Sequence, residues 1–299
     1  MSSLPSTHRV HSPRTLEEAL AFLARHADEE WRPLAGGTDV MVEMERGQAT
    51  AARWLDLRFL RGELSAIGRS DDGRVRVGGA ATMTELRRSS LLAETFPLIA
   101  EAAATVGAVQ IQNRATVAGN IANASPAGDT LPVWLVLDAE IELVSAAGTR
   151  CVPYADFTPE YRRTVRRPDE LIAAVTFVPP SPERTRILFR KVGTRAAQAI
   201  SKVVLAAVLR TGTDGAYEDV RLAFGSMAPV PRRAAAAERA VLGLPPGAAA
   251  GAAAAAALDA DLSPVDDVRA PATYRRRVAE NLVRELVAGR LGRPTITRG

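Results

Sequence analysis

Three prolines fall within four residues at Pro179-Pro180-Ser181-Pro182. Proline has no amide proton to give to a ladder, and it holds the residue before it out of the helical region. No regular element can run through this segment. The chain is therefore read as two folding stretches with a boundary at 179–184. At 299 residues, and at roughly 100–200 residues per domain, two or three domains are expected.

The stretch before the prolines mixes helices and strands. Thr15-Leu-Glu-Glu18 reads as a capping box for a short helix ending near His26, with Leu16, Leu20 and Leu23 on one face. A strand-like 32–35 follows, then the turn Gly36-Gly37-Thr38-Asp39, an apolar run 40–44 and a strand at 54–57. The first 60 or so residues therefore resemble a small βαβ unit. Residues 74–77 alternate as a strand and lead into Gly78-Gly79. Residues 84–92 and 96–105 look helical. The stretch 107–129 has too many β-branched and amide residues for a comfortable helix and too much apolar content for a linker. Residues 132–137 form a buried element, and 139–145 and 171–178 are strands.

Beyond the prolines the pattern changes. Apolar strands at 201–210 and 217–226 flank Gly212-Thr-Asp-Gly215, a hairpin signal. Helices then follow at 232–242, 248–258 and 274–291. In the last, Val278, Leu282, Leu286 and Val287 form the buried face, opposite a face of arginines. Aromatic residues make up only 5% of a chain that is 47% hydrophobic, so aliphatic and alanine packing must fill the core.

Scarce residues exclude much chemistry. The single cysteine, Cys151, rules out an internal disulfide and any all-cysteine zinc or iron–sulfur site built by this chain alone. The histidines are His8, His11 and His26, which leaves little room for a Ser-His-Asp triad or a His-ligated metal. The lysines are Lys191 and Lys202, and neither follows a glycine, so a Walker-type phosphate loop is impossible. No metal site is expected. The net charge of +4 is scattered and lacks interleaved aromatics, so no nucleic-acid partner is expected. The longest apolar run, 248–258, is nearly all alanine, so no transmembrane segment is expected. Residues 1–10 carry no apolar stretch of the leader type, and a cytoplasmic location is the expectation.

Two segments are candidates for ligand contact through the backbone. One is Ala35-Gly36-Gly37-Thr38-Asp39. The other is Thr116-Val117-Ala118-Gly119-Asn120, followed by Ser125 and Asp129. Glycine lets successive N–H groups close around an anion, and Thr and Asn add neutral donors. Two such nests, converging in space, would hold a diphosphate. Singly, the first is also compatible with a plain turn and the second with a bulged strand.

In context the two segments say more. Pro33-Leu-Ala-Gly-Gly-Thr-Asp-Val40 after a Thr-Leu-Glu-Glu-Ala helix resembles the start of the FAD-binding subunits of the molybdenum hydroxylases, the family of carbon monoxide, xanthine and nicotine dehydrogenases. Gln110-Ile-Gln-Asn-Arg-Ala-Thr-Val-Ala-Gly-Asn-Ile121, continuing to Ser125-Pro-Ala-Gly-Asp129, resembles that family's second FAD signature. Lys191-Val-Gly-Thr-Arg195 and the Tyr274-Arg-Arg-Arg helix resemble its last domain. The likeness runs from about Thr15 to Leu291, with the segments in the same order.

The resemblance implies an α+β fold. Two subdomains of the vanillyl-alcohol oxidase (PCMH) type, 1–60 and 61–180, would hold FAD between them. A C-terminal domain, 181–299, would carry an antiparallel sheet and a helix bundle. It also implies the cofactor contacts. Pro33, Leu34, Ala35, Gly36, Gly37, Thr38, Asp39 and Val40 would hold the diphosphate, closed from the other side by Thr116, Val117, Ala118, Gly119 and Asn120, with Ser125 following. Asp129 would meet a polar part of the cofactor, by a hydrogen bond to ribose or a backbone donor. Ile172 would pack near the adenine or flavin end, and Lys191 would sit beside the flavin. Val106 stands where some relatives have an aromatic for adenine stacking. Ala118 stands where glycine is common, which demands a negative φ. Ala199 and Ile200 fall where some relatives carry an aromatic at the flavin face.

With no histidine near either segment, and with Cys151 on an edge segment, non-covalent FAD is expected. No catalytic residue of substrate chemistry is expected in this chain. A molybdopterin subunit and a [2Fe–2S] subunit would be partners in a heterotrimer, or a dimer of heterotrimers. Electrons would pass through FAD to NAD, oxygen or a quinone. The alternatives are a self-contained FAD-dependent oxidase or reductase of the same fold, for which Tyr154, Tyr161 and Glu160 are the acid–base candidates, and a nucleotide-binding regulatory subunit.

Overall fold

The computed structural model describes residues 8–48, 52–195 and 198–294. Residues 1–7, most of the opening segment read above for a leader, lie outside them. The first element is a three-stranded parallel sheet. Strand Arg53–Asp56 lies between Arg9–His11 and Arg32–Leu34, with Val10 opposite Trp54 and Leu34 opposite Asp56. The helices Leu16–Arg25 and Thr38–Glu45 make the two crossovers, so the unit is βαβαβ. Thr15 Oγ1 accepts from the Glu18 amide at 3.1 Å. The Glu18 carboxylate reaches the Arg14 amide at 2.7 Å rather than that of Thr15, so the box is displaced by one residue. The apolar run 40–44 does not form a strand. It enters the helix Thr38–Glu45, whose N-cap is Gly37 at φ +75°.

The middle sheet has five antiparallel strands in the order Ile67–Arg69, Val75–Gly78, Leu171–Phe177, Glu140–Ser145, Gly148–Pro153. Its core holds Trp134, Phe96, Phe157 and Phe177, all fully buried. A complete capping box joins Thr82 and Glu85 at the start of the helix Met83–Arg88. The expected helix 84–92 breaks at Ser89, whose side chain caps the next helix, Ser90–Thr95.

The stretch 107–129 departs from the non-helical expectation, forming the helices Val109–Gln112 and Val117–Asn123. The propensity penalty of β-branched and amide residues is only tenths of a kcal/mol each, and local contacts exceed it. Gln112 is buried, and its Nε2 donates to the carbonyls of Ala104 and Val106 at 3.0 Å each. Thr116 caps the second helix, and Val117 and Ile121 are buried beneath it.

After the prolines, Thr185–Val192, Val203–Thr211 and Tyr217–Gly225 form an antiparallel meander extended by the short strands Arg232–Arg233 and Arg293–Pro294. The central strand alternates between two cores. Ala206 and Val208 join the middle core, while Val203, Leu205, Ala207 and Leu209 meet the C-terminal helices. Arg232 and Arg233 lie on an edge strand, so the expected helix 232–242 shortens to Ala235–Arg239. The alanine helix Ala248–Ala257 packs closely on Ala272–Val287: a Cβ on Gly251 would lie 2.4 Å from the Arg284 carbonyl. The arginine face of that last helix is not wholly solvated. Arg275 is buried, donating to the carbonyls of Lys202 and Ser226 at 2.9 and 3.0 Å and pairing with Asp267 at 2.6 Å. Among the described residues no helix is long and apolar enough to cross a membrane.

Candidate functional site

A cavity of about 420 Å³ lies where the parallel unit meets the middle sheet. Its first wall is the turn between strand Arg32–Leu34 and helix Thr38–Glu45. Gly36 permits the contact that closes this wall on the second segment. A Cβ there would lie 1.9 Å from the Arg114 carbonyl, and Arg114 Nε donates back to the Gly36 carbonyl at 3.2 Å. The two glycine segments, far apart in sequence, thus meet backbone to backbone.

The amides of Gly36, Gly37, Thr38, Asp39 and Val40 make no hydrogen bond among the described residues. They comprise a turn and the uncapped first residues of an eight-residue helix, whose N-terminal dipole is positive. Unpaired N–H groups on a cavity wall are an anion cradle. Asp39 sits among them, and burial, then Glu43, pushes its carboxyl above the ordinary range. Arg162 and Arg32 oppose that shift.

The second segment behaves differently. It is neither a bulged strand nor a nest of free amides. The Val117 amide donates to the Ala81 carbonyl at 2.9 Å and that of Ala118 to Gly79 at 2.8 Å. The Gly119 amide donates to Thr116 Oγ1 at 3.1 Å and that of Asn120 to the Thr116 carbonyl at 3.0 Å. This wall therefore offers side chains and surface. Ala118 has no positive φ, so its methyl group is accommodated. Asn120 Oδ1 accepts from Thr130 at 2.6 Å, and Ser125 Oγ accepts from the Ala127 amide at 3.3 Å.

The lining also includes Val106, Ile172 and Asp129. Asp129 Oδ2 pairs with Lys191 Nζ at 2.7 Å, and Nζ also donates to the Thr105 carbonyl at 2.9 Å. Asp129 Oδ1 is buried without a partner among the described residues. Burial pushes the Asp129 carboxyl from 3.8 up to about 6, with the Lys191 charge and its hydrogen bond holding it back.

Pro33 to Val40, Val106, Thr116, Ala118, Gly119, Asn120, Ser125, Asp129 and Ile172 all line the cavity. Val117 does not: its side chain is in the core and its amide is paired. Lys191 is also off the wall, standing behind Asp129 with its side chain 9% exposed. Ala199 and Ile200 lie outside the lining, and Ile200 is exposed. Cys151 is exposed on the edge strand Gly148–Pro153. Of the acid–base candidates, Tyr154 is buried outside the cavity, Tyr161 is exposed, and Glu160 pairs with Arg163 at 3.2 Å. Among the described residues no cluster of His, Cys, Asp or Glu could hold a metal ion.

Sequence reasoning missed polar lining residues, among them Arg32, Thr164 and Arg166. Arg32 is paired with Glu43 at 2.9 Å. The four arginines within 162–167 were the available signal for the other two. The donor set fits a dinucleotide such as FAD. The lining includes unpaired amides, apolar Val106 and Ile172, and Asp129 with a carboxylate oxygen that has no partner among the described residues.

Comparison with known proteins shows the family. The family described as the FAD binding domain in molybdopterin dehydrogenase matches residues 6–181, and that described as the CO dehydrogenase flavoprotein C-terminal domain matches 189–289. The chain is 30% identical over 278 residues to the xanthine dehydrogenase FAD-binding subunit of Escherichia coli O157:H7, covering 93% of this chain and 94% of that protein. It is 31% identical over 287 residues to the carbon monoxide dehydrogenase medium chain of Afipia carboxidovorans, covering 95% and 96%. A chain of the cyanide-inactivated Cu,Mo-CO dehydrogenase superposes with a TM-score of 0.88 at 28% identity, covering 96% of this chain and 99% of that one. The cradle, the cavity and these likenesses together identify the chain as a member of the family of FAD-binding subunits of molybdopterin dehydrogenases.

Proposed function

We propose that this chain is the electron-transferring flavoprotein of a heterotrimer, taking electrons from the [2Fe–2S] clusters of one partner, with molybdopterin held by another. The chain would pass them to NAD, oxygen or a quinone, in the cytoplasm. We further propose that 1–60 and 61–180 are the two FAD-binding subdomains and 181–299 the C-terminal domain. The observation that carries the reading is the row of unpaired amides from Gly36 to Val40 on the wall of a cavity closed by the second glycine segment.

Bound FAD supplies the exchange between one- and two-electron transfer. The residues of the chain bind and orient it. Gly36 to Val40 would take the diphosphate through N–H groups already fixed in direction, so little ordering remains on binding. Thr116, Ala118, Gly119, Asn120 and Ser125 would close the opposite wall by shape and side-chain contact, with Val117 supporting them from below. Val106 and Ile172 would cover apolar ring surface. Asp129 Oδ1, without a partner among the described residues, would take a hydroxyl hydrogen from the cofactor. Lys191 would act through Asp129, holding Oδ2 and so turning Oδ1 toward the cavity.

The test is reconstitution. The full chain, stripped of flavin, is titrated with FAD and followed by flavin absorbance and fluorescence. One FAD per chain is expected, released on denaturation. A folded chain that takes up no FAD overturns the cofactor reading. Reduction of the bound flavin by substrate only when both partner subunits are present supports the electron route, and equal reduction without them overturns it.

A further inference from the structure

Arg166 is a cation on the cavity wall with no carboxylate partner among the described residues. Its Nη1 donates to the carbonyls of Arg167 and Glu170 at 2.8 and 2.7 Å, which fixes the guanidinium plane. It makes no ion pair among the described residues. The nearby acid that could serve, Glu170, is already taken: its two oxygens hold Arg150 at 2.6 and 2.9 Å, and the Arg167 amide donates to it at 2.7 Å. Burial pushes the Arg166 guanidinium down, with Glu170 and Asp169 opposing. A half-buried guanidinium stays charged, and leaving it unpaired carries a desolvation cost. Its Nε and Nη2 have no acceptor among the described residues.

The same loop approaches the anion cradle, since Arg162 acts on Asp39 from it. Oxidised FAD has one fixed centre of negative charge, the diphosphate. Flavin and adenine are neutral. A permanent cation in the cavity finds its counter-charge there.

We propose that Arg166 is a diphosphate-binding residue, closing from the loop 158–170 the ring of donors that Gly36 to Val40 begin. The inference rests on the cavity holding FAD. Neutral amides would orient the diphosphate, and Arg166 would supply the charge that sets affinity and its dependence on salt.

The experiment compares the wild type, Arg166→Met and Arg166→Lys as full chains stripped of flavin. FAD is titrated at low and high salt, with thermal melting as the control for folding. Arg166→Met is expected to weaken FAD binding at least tenfold at low salt and to flatten its salt dependence. Arg166→Lys should retain most of the salt dependence. Wild-type affinity and salt dependence in Arg166→Met overturn the proposal. So do equal losses in both variants with unchanged salt dependence, which would mean packing and not charge. A lowered flavin midpoint potential at unchanged affinity for oxidised FAD also overturns it, because the charge would then face the flavin. If the wild type binds no FAD, the reading of the cavity fails instead, which is a separate result.

Discussion

The two glycine segments look alike in sequence and differ in what they offer a ligand. Gly36 to Val40 lead from a strand into a helix with no side-chain cap, and five consecutive amides are left unpaired among the described residues. Thr116 to Asn120 also lead into a helix, but Thr116 caps it and the carbonyls of Gly79 and Ala81 take the next two amides. The lesson is that a glycine with a hydroxyl neighbour marks a close backbone approach without saying what approaches. In the first segment a ligand can approach. In the second the neighbouring chain already has.

The contrast can be broken at Gly36. A methyl group there would strike the Arg114 carbonyl, which belongs to a backbone that cannot step aside. Gly36→Ala is expected to cost about 3 kcal/mol of stability, at the upper end of overpacking effects, and to lose most FAD affinity. Urea unfolding with an FAD titration checks both, and a variant of wild-type stability would mean that the two segments do not touch.

Asp129 tests another part of the cavity lining through pH. A carboxyl raised in the folded state from 3.8 to about 6 binds more protons folded than unfolded between those values. Its contribution to stability therefore falls as pH rises from about 4 to about 6 and is level above. The shift of roughly two pH units bounds the effect at about 3 kcal/mol. Asp129→Asn should lack this fall. Lys191→Met should move it to higher pH, because the Lys191 charge is what holds the carboxyl down. Unfolding free energies of the flavin-free chains between pH 4 and 7 decide, and identical slopes in the wild type and Asp129→Asn would remove Asp129 as their source.

A smaller effect is expected at Gly37, where φ is +75° but a Cβ would meet only ordinary contacts, 3.7 Å from Leu34 Cδ1. Gly37→Ala should cost about 1–2 kcal/mol for the left-handed backbone, with a moderate loss of FAD affinity. The least effect on binding is expected in the second segment. Thr116→Val removes a cap worth about 1 kcal/mol. FAD affinity should change by less than tenfold, since the amides it leaves do not face an anion. A large loss of affinity with little loss of stability there would reverse the comparison.

The outline of this arrangement was readable in advance. The opening βαβ pattern, the hairpin at Gly212 to Gly215 and the helix 248–258 rest on local rules of period and turn chemistry, and the structure contains all three. Errors arose where neighbours outweighed local preference. The apolar run 40–44 is a helix because Gly37 starts one, and 107–129 is partly helical because Gln112 holds the carbonyls of Ala104 and Val106 and Thr116 caps the helix after it. Arg275 looked solvated and is buried, because carbonyls of two strand ends and Asp267 surround it.

The sequence alone determined the family, the break in regular structure at the prolines and the glycine that lets two backbone segments meet, since each depends on residues that only one backbone path tolerates. Tertiary structure decided which amides are unpaired among the described residues, that Lys191 stands behind Asp129 and not on the cavity wall, and that Arg166 makes no ion pair among the described residues. Those facts concern hydrogen-bond partners drawn from distant parts of the chain. Whether a donor is satisfied depends on everything that folds around it, and spacing along the chain carries no record of that.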